Sequence, residues 1–108
     1  GRDDDTLKGG DGDDRMVGGQ GDDIMEGGAG ADRFIFRDDD GHDEIVDFNV
    51  HDDVMVLRRV SEITDFADLI ENHVTQVGDD VVIDDGAGTK ITLLDIHVGD
   101  LDHDSFVF

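Results

Sequence analysis

Apolar side chains return at a fixed phase in the first third of this chain. Leu7, Met16, Met25 and Phe34 stand nine residues apart, each separated from the next mainly by glycine, aspartate and other polar residues. Nine matches neither the 3.6-residue period of an amphipathic helix nor the two-residue alternation of a half-buried strand. Past Leu57 the pattern changes. Ile63, Phe66, Leu69 and Ile70 recur at helical spacing, with Ser61 or Thr64 in place to cap the helix. Val74–Val77, Asp80–Asp84 and Lys90–Leu94 read as strands, separated by turns at Gly78 and Asp85–Thr89. Leu101–Phe108 closes on apolar residues after an acidic stretch.

Charge narrows the field. Thirty acidic against eight basic residues leave a formal net charge of −22 over 108 residues, so nucleic acid and anionic membrane surfaces are repelled. Four of the 30 acids are glutamate (Glu26, Glu44, Glu62, Glu71), which leaves 26 aspartates. Helix building would favour glutamate. Aspartate in such excess points to turns and to short carboxylate arms, the first sign of a hard cation. There is no cysteine, which excludes disulfides and thiolate metal sites. With no Trp and no Tyr, the core must come from Phe, Ile, Val and Leu. No apolar run approaches the roughly 20 residues of a membrane span, and no N-terminal signal peptide is visible. The chain opens inside a pattern, as a fragment of a longer protein would.

Steps of nine align GRDDDTLK (1–8), GGDGDDRMV (9–17), GGQGDDIME (18–26) and GGAGADRFI (27–35). The sixth position is Asp5, Asp14, Asp23 and Asp32; the eighth carries the apolar residue. A disordered acidic linker would not hold an apolar residue at this phase. The pattern resembles the RTX family, whose repeat is G-G-x-G-x-D-x-U-x with U large and apolar. The resemblance implies a mainly β fold, a parallel β-roll in which six residues turn and three form a short strand. Alternate repeats then stack on the same side, and the eighth residue points into a thin core. Glycine takes positive φ without steric cost and turns backbone carbonyls toward a point shared by stacked turns. The aspartate at position six reaches that point. Calcium takes six to eight oxygens at ~2.3–2.6 Å, so several Ca²⁺ ions stacked between turns are the implied cofactor.

The repeat continues in degraded form. Asp38–Phe48 carries Gly41, Asp43 and Ile45 at positions four, six and eight after a short insertion, and His51–Leu57 offers Asp53 and Met55. The expected pairs are Asp5 with Asp23, Asp14 with Asp32, Asp23 with Asp43, and Asp32 with Asp53. By the resemblance, carbonyls at positions two and four of one turn and one and three of the next complete each site. That assigns backbone oxygens to Asp3, Gly10, Gly12, Gly18, Gly19, Gln20, Gly21, Gly27 and Ala29. Residues 1–57 then form the roll, regular to 36 and degenerate from 37, and 58–108 form a cap of one short helix and several strands that covers the open end. "DF" (Asp47–Phe48), "ITLLDI" and "DHDSFVF" further resemble the C-terminal segments of RTX proteins. In that family an uncleaved C-terminal signal directs export through a type I secretion channel. The implied partners are that apparatus and an upstream domain of a secreted bacterial parent.

Competing chemistries fail on residue type. Asp38, Asp40, Gly41 and Asp47 fit positions three, five, six and twelve of an EF-hand loop, but position one would be Phe36, which cannot ligate, and no helix leads into it. The five histidines form no H-E-x-x-H and no close pair on one helix face. Ser61 and Ser105 sit in no nucleophile motif. No catalytic residue is expected. Two other roles stay open: an adhesin or surface-layer repeat, and a binding unit for an anionic polysaccharide. The latter would require Arg15, Arg33, Arg37, Arg58 and Arg59 to gather on one face.

Overall fold

The computed structural model describes residues 6–17, 19–37 and 41–108. Glycine and aspartate break the chain every few residues, so the first strands are three residues long: β1 (Thr6–Lys8), β2 (Arg15–Val17) and β3 (Ile24–Glu26). Where glycine thins out, strands lengthen to β4 (Arg33–Arg37), β5 (Gly41–Ile45) and β6 (Val54–Arg59). Odd and even strands go to opposite sheets, all parallel to their neighbours within this half. This is the parallel β-roll that the resemblance implied.

Register puts the eighth-position residues on two ladders. Leu7 faces Met25, and Met25 faces Ile45, in one sheet. Met16 faces Phe34, and Phe34 faces Met55, in the other. Met25, Phe34, Ile45 and Met55 are wholly buried between the sheets, and Phe34 packs on Phe48 with ring centroids 5.9 Å apart. Each rung hides one large side chain, worth roughly 1.5–3 kcal/mol against exposure. The degenerate repeats therefore keep the register of the regular ones.

The second half extends both ladders. β7 (Val74–Val77), β8 (Asp80–Asp84) and β9 (Thr89–Leu93) form an antiparallel meander. β9 also pairs in parallel with β5, which sets Leu93 opposite Ile45. The short β10 (Phe106–Val107) pairs in parallel with β6, and Phe106 faces Met55. The sheets thus run β1-β3-β5-β9-β8-β7 and β10-β6-β4-β2. Leu57, Val60, Ile63, Leu69, Val81, Ile83 and Ile91 fill the core between them. The expected helix is one turn, α1 (Phe66–Asp68), continued by a π-helical turn over Leu69–His73. Its cap is Asp65, whose carboxylate accepts from Asp68 N at 2.7 Å, in place of Ser61 or Thr64. Asp is as good an N-cap as Ser, and Thr64 instead donates its backbone N–H to the Asp68 carboxylate at 3.1 Å. Among the described residues no helix is long and apolar enough to cross a membrane.

Candidate metal centre

The turns between strands stack as closely as the strands do. Glycines at positions two and four take positive φ: 81° at Gly28 and 101° at Gly30. A Cβ at Gly41 would lie 2.6 Å from the Gly21 carbonyl oxygen of the turn beneath, and a Cβ at Gly28 or Gly30 would strike the carbonyl of Gly10 or Gly12. Conformation and close approach together require glycine here. Position one is glycine for a different reason. A Cβ at Gly9 would sit 2.6 Å from Asp14 Oδ2 and 2.7 Å from the Gly27 carbonyl oxygen.

The sixth-position aspartates form a relay. Asp14 N donates to Asp32 Oδ1 at 2.9 Å, Asp23 N to Asp43 Oδ1 at 3.0 Å, and Asp32 N to Asp53 Oδ1 at 2.9 Å. Three of the four pairs expected from sequence are thus brought together. The fourth, Asp5 with Asp23, involves Asp5, which lies outside the described residues, as do Asp3 and Gly18. Asp23, Asp32, Asp43 and Asp53 are all buried. Asp14 Oδ2 and Asp32 Oδ2 are buried atoms with no hydrogen-bond partner. A buried carboxylate oxygen without a partner costs far more than a hydrogen bond returns, so its place in a repeated structure calls for a cation.

Asp53 differs. Its Oδ1 accepts from Asp32 N and its Oδ2 from Asn49 N, both at 2.9 Å, so both oxygens are held by backbone at the end of the stack. Gly10, Gly12, Gly19, Gln20, Gly21, Gly27 and Ala29 lie in the turns between β1 and β4. Among the described residues no three acidic or histidine side chains converge on one point. A cation between these turns would therefore draw most of its oxygens from the backbone. Two carboxylates, glycine carbonyls and space that a Cβ would fill suit a hard cation of flexible coordination such as calcium.

Two links escaped the sequence reading. Asp13 Oδ1 accepts from Ala31 N at 2.8 Å, and Asp22 Oδ1 from His42 N at 3.0 Å. Position five thus ties stacked turns on their outer side. The signal was present, since Asp4, Asp13 and Asp22 all occupy that position. Asp47 accepts from Gly27 N at 2.9 Å and Gly28 N at 2.8 Å, closing the even-numbered stack from a loop that lacks the repeat.

Burial pushes the Asp32 carboxyl above its ordinary value; the bond from Asp14 N opposes this, and the charges of Asp53, Asp14 and Asp47 add to it. Asp53 is raised in the same way, by burial first, with the bonds from Asn49 and Asp32 opposing and Asp47 and Asp52 adding. The metal-free site thus resists holding its own charge.

A repeat of turn glycines and relayed aspartates at a nine-residue period has a match. Residues 1–34 fit the RTX calcium-binding nonapeptide repeat (4 copies). Solved structures resemble the whole chain, two of them as follows. The extracellular lipase LipA from Serratia marcescens is 27% identical with a TM-score of 0.72, covering 100% of this chain and 20% of its own. The AlgE6R3 subunit of the Azotobacter vinelandii mannuronan C5-epimerase is 20% identical with a TM-score of 0.52, covering 100% of this chain and 80% of its own. The second likeness shows the fold alone. The chain spans one fifth of the lipase. No curated protein matches the sequence. The matched repeat is a calcium-binding one, and its match covers the turns of residues 1–34.

Proposed function

We propose that this chain is a calcium-loaded module that folds on Ca²⁺ outside the cell and serves as the C-terminal export and folding unit of a larger secreted protein. It binds and does not catalyse. The observation that carries the reading is the relay of buried position-six carboxylates, two of which keep an unpartnered buried oxygen. Asp14, Asp23, Asp32 and Asp43 would hold the ions, with carbonyls of Gly10, Gly12, Gly19, Gln20, Gly21, Gly27 and Ala29. Asp5, with Gly18 and Asp3, would serve the first turn, and Asp53 would end the stack. The ion supplies charge neutralisation. At submicromolar calcium the aspartates repel one another, and an open chain threads a secretion channel. Extracellular calcium exceeds the ~10⁻⁴–10⁻³ M affinity of extracellular modules, and binding energy becomes folding energy. Residues 1–57 act as the roll and 58–108 as the cap, with Phe106–Phe108 shared between packing and export.

Acid tests the carboxylate basis of the site. Asp32 and Asp53 have folded values raised above the ordinary 3.8. The metal-free fold therefore binds more protons than the unfolded chain between those values, and its stability falls as pH rises through that window. Without calcium, acidification toward pH 4 is expected to increase β structure in circular dichroism. With calcium bound, protons compete for the same oxygens, and the same acidification is expected to release ions to a calcium dye. A calcium-loaded chain that keeps its ions below pH 4 would contradict carboxylate ligation.

One observation favours a second reading, an anionic polysaccharide as ligand. Arg15 and Arg33 face each other across β2 and β4, and Arg37 faces Arg59 across β4 and β6. Like charges directly opposite are destabilising. Arg15, Arg33, Arg58 and Arg59 also ring a hollow of about 210 Å³ floored by Ile35 and Val56. Among the described residues these four arginines make no ion pair with a carboxylate. Five of the eight cations thus share one region of a chain of charge −22. Arg forks bind carboxylates bidentately, and an apolar floor suits a sugar ring. The Arg33→Ser/Arg58→Ser double variant is expected to lose about tenfold in binding to immobilised polyuronate (two charged contacts, roughly 1.4 kcal/mol per tenfold), with neutral dextran unbound by either protein. Equal binding by the wild type and the double variant would remove this reading.

A further inference from the structure

The chain holds three methionines, and all three stand at the eighth position of a repeat, as rungs of the apolar ladders. Met25 has Leu7 and Ile45 opposite it in one sheet. In the other sheet Met16 lies opposite Phe34, and Met55 lies between Phe34 and Phe106. Met25 and Met55 are wholly buried, and Met16 is 6% exposed. The folded roll shuts its thioethers away from water.

Methionine brings to a rung a reactivity that Leu, Ile and Phe lack. Its sulfur takes one oxygen from a hydroperoxide and becomes a sulfoxide, polar where the thioether was apolar. The S–O bond forms as the O–O bond breaks. The sulfur gives up two electrons, and hydrogen peroxide, reduced by them, leaves as water. Within the ladders the new oxygen would face apolar rungs alone. Two residues before each methionine stand Asp14, Asp23 and Asp53, and an ionised carboxylate accepts hydrogen bonds without donating any. A sulfoxide oxygen on a rung is thus a buried acceptor with no donor, which opposes the burial that holds the sheets together.

We propose that Met16, Met25 and Met55 are oxidation sites whose access calcium controls. In the metal-free chain a hydroperoxide converts them to sulfoxides, and the oxidised chain no longer closes its ladders on calcium. In the calcium-loaded roll Met25 and Met55 are out of reach. Folding must then precede oxidation for the module to form. The inference rests on the reading that the chain is open without calcium.

The full chain, treated with hydrogen peroxide in EDTA or in saturating CaCl₂ and then cleared of peroxide with catalase, tests this. Peptide mass spectrometry is expected to find all three methionines oxidised in EDTA, and Met25 and Met55 spared in CaCl₂. Followed by far-UV circular dichroism, the EDTA-treated protein should need roughly tenfold more calcium at half-folding, the cost of three unpartnered acceptors being spread over several ions. A Met16→Leu/Met25→Leu/Met55→Leu variant keeps the apolar volume and is expected to titrate alike before and after peroxide. Equal damage to that variant would place the lesion elsewhere and overturn the inference. So would a fully oxidised wild type that folds at the original calcium concentration, which would leave folding by ligand standing. Met25 and Met55 protected in EDTA as well as in CaCl₂ would instead overturn the reading that the metal-free chain is open.

Discussion

Asp32→Asn is expected to move stability in opposite directions with and without calcium. Asp32 is buried at the middle of the relay: its Oδ1 holds Asp14 N, its own N–H binds Asp53, and its Oδ2 has no partner. Asparagine preserves the shape and the acceptor for Asp14 N. In EDTA at neutral pH it removes a charge that burial already disfavours, so the metal-free chain should become easier to fold. In calcium it removes a charged ligand, and the calcium concentration at half-folding should rise roughly tenfold or more, tenfold being about 1.4 kcal/mol. Asp32→Ala serves as the contrast. It also strands the Asp14 N–H, at about 1–3 kcal/mol, and should weaken the fold in both media. Residual β structure in EDTA by far-UV circular dichroism, and the calcium concentration at half-folding, read this out for the three proteins. If Asp32→Asn weakened the fold equally in both, Asp32 would be a structural hydrogen-bond acceptor only.

The roll was legible in the sequence because its physics is periodic. Each rung needs one large apolar residue, each turn needs glycine where φ is positive, and each stack needs an acid at position six; all repeat at nine. Even Asp43 and Asp53, which follow an insertion and a turn poor in glycine, fall in register. The last rungs were hidden for the same reason. Leu93 and Phe106 complete the two ladders, but Leu93 has Ile91 where the sixth-position aspartate would stand, and Asp104, which does precede Phe106 by two residues, follows a segment whose one glycine is Gly99. The short helix is present but starts later than the spacing implied. Ile63, Phe66 and Leu69 have helical spacing, yet Asp65 starts the helix after Ile63 is already buried, and one turn of α-helix passes into a π turn. Spacing alone cannot show that Ile63 reaches the core from the preceding loop. Position five was underread, because an aspartate beside another aspartate looks like bulk charge. Its bond to the next turn is a property of stacking, which one-dimensional pattern does not display.

The largest effect expected is on folding itself. Asp23, Asp32, Asp43 and Asp53 are each at most 2% exposed in a chain of net charge −22. Burying a charge without a counter-charge costs several kcal/mol even after relaxation, and a whole domain is stable by only ~5–15 kcal/mol. Two such burials, at Asp32 and Asp53, take much of that margin. Without a cation the roll half should not hold its sheets at neutral pH, whatever its ladders of Met, Phe and Ile contribute. Each site filled at ten times its dissociation constant returns about 1.4 kcal/mol and discharges the carboxylates as well. Several ions bound in neighbouring turns that share ligands should act together, giving a steep transition. Magnesium should not replace calcium, because it demands a tight octahedron and sheds water reluctantly.

Far-UV circular dichroism of the chain titrated with CaCl₂, against MgCl₂ as control, puts this to the test most directly. A cooperative gain of β structure with calcium alone is the predicted result. A chain already folded to the same extent in EDTA at neutral pH would contradict folding by ligand and leave the turns as passive sites on a stable scaffold.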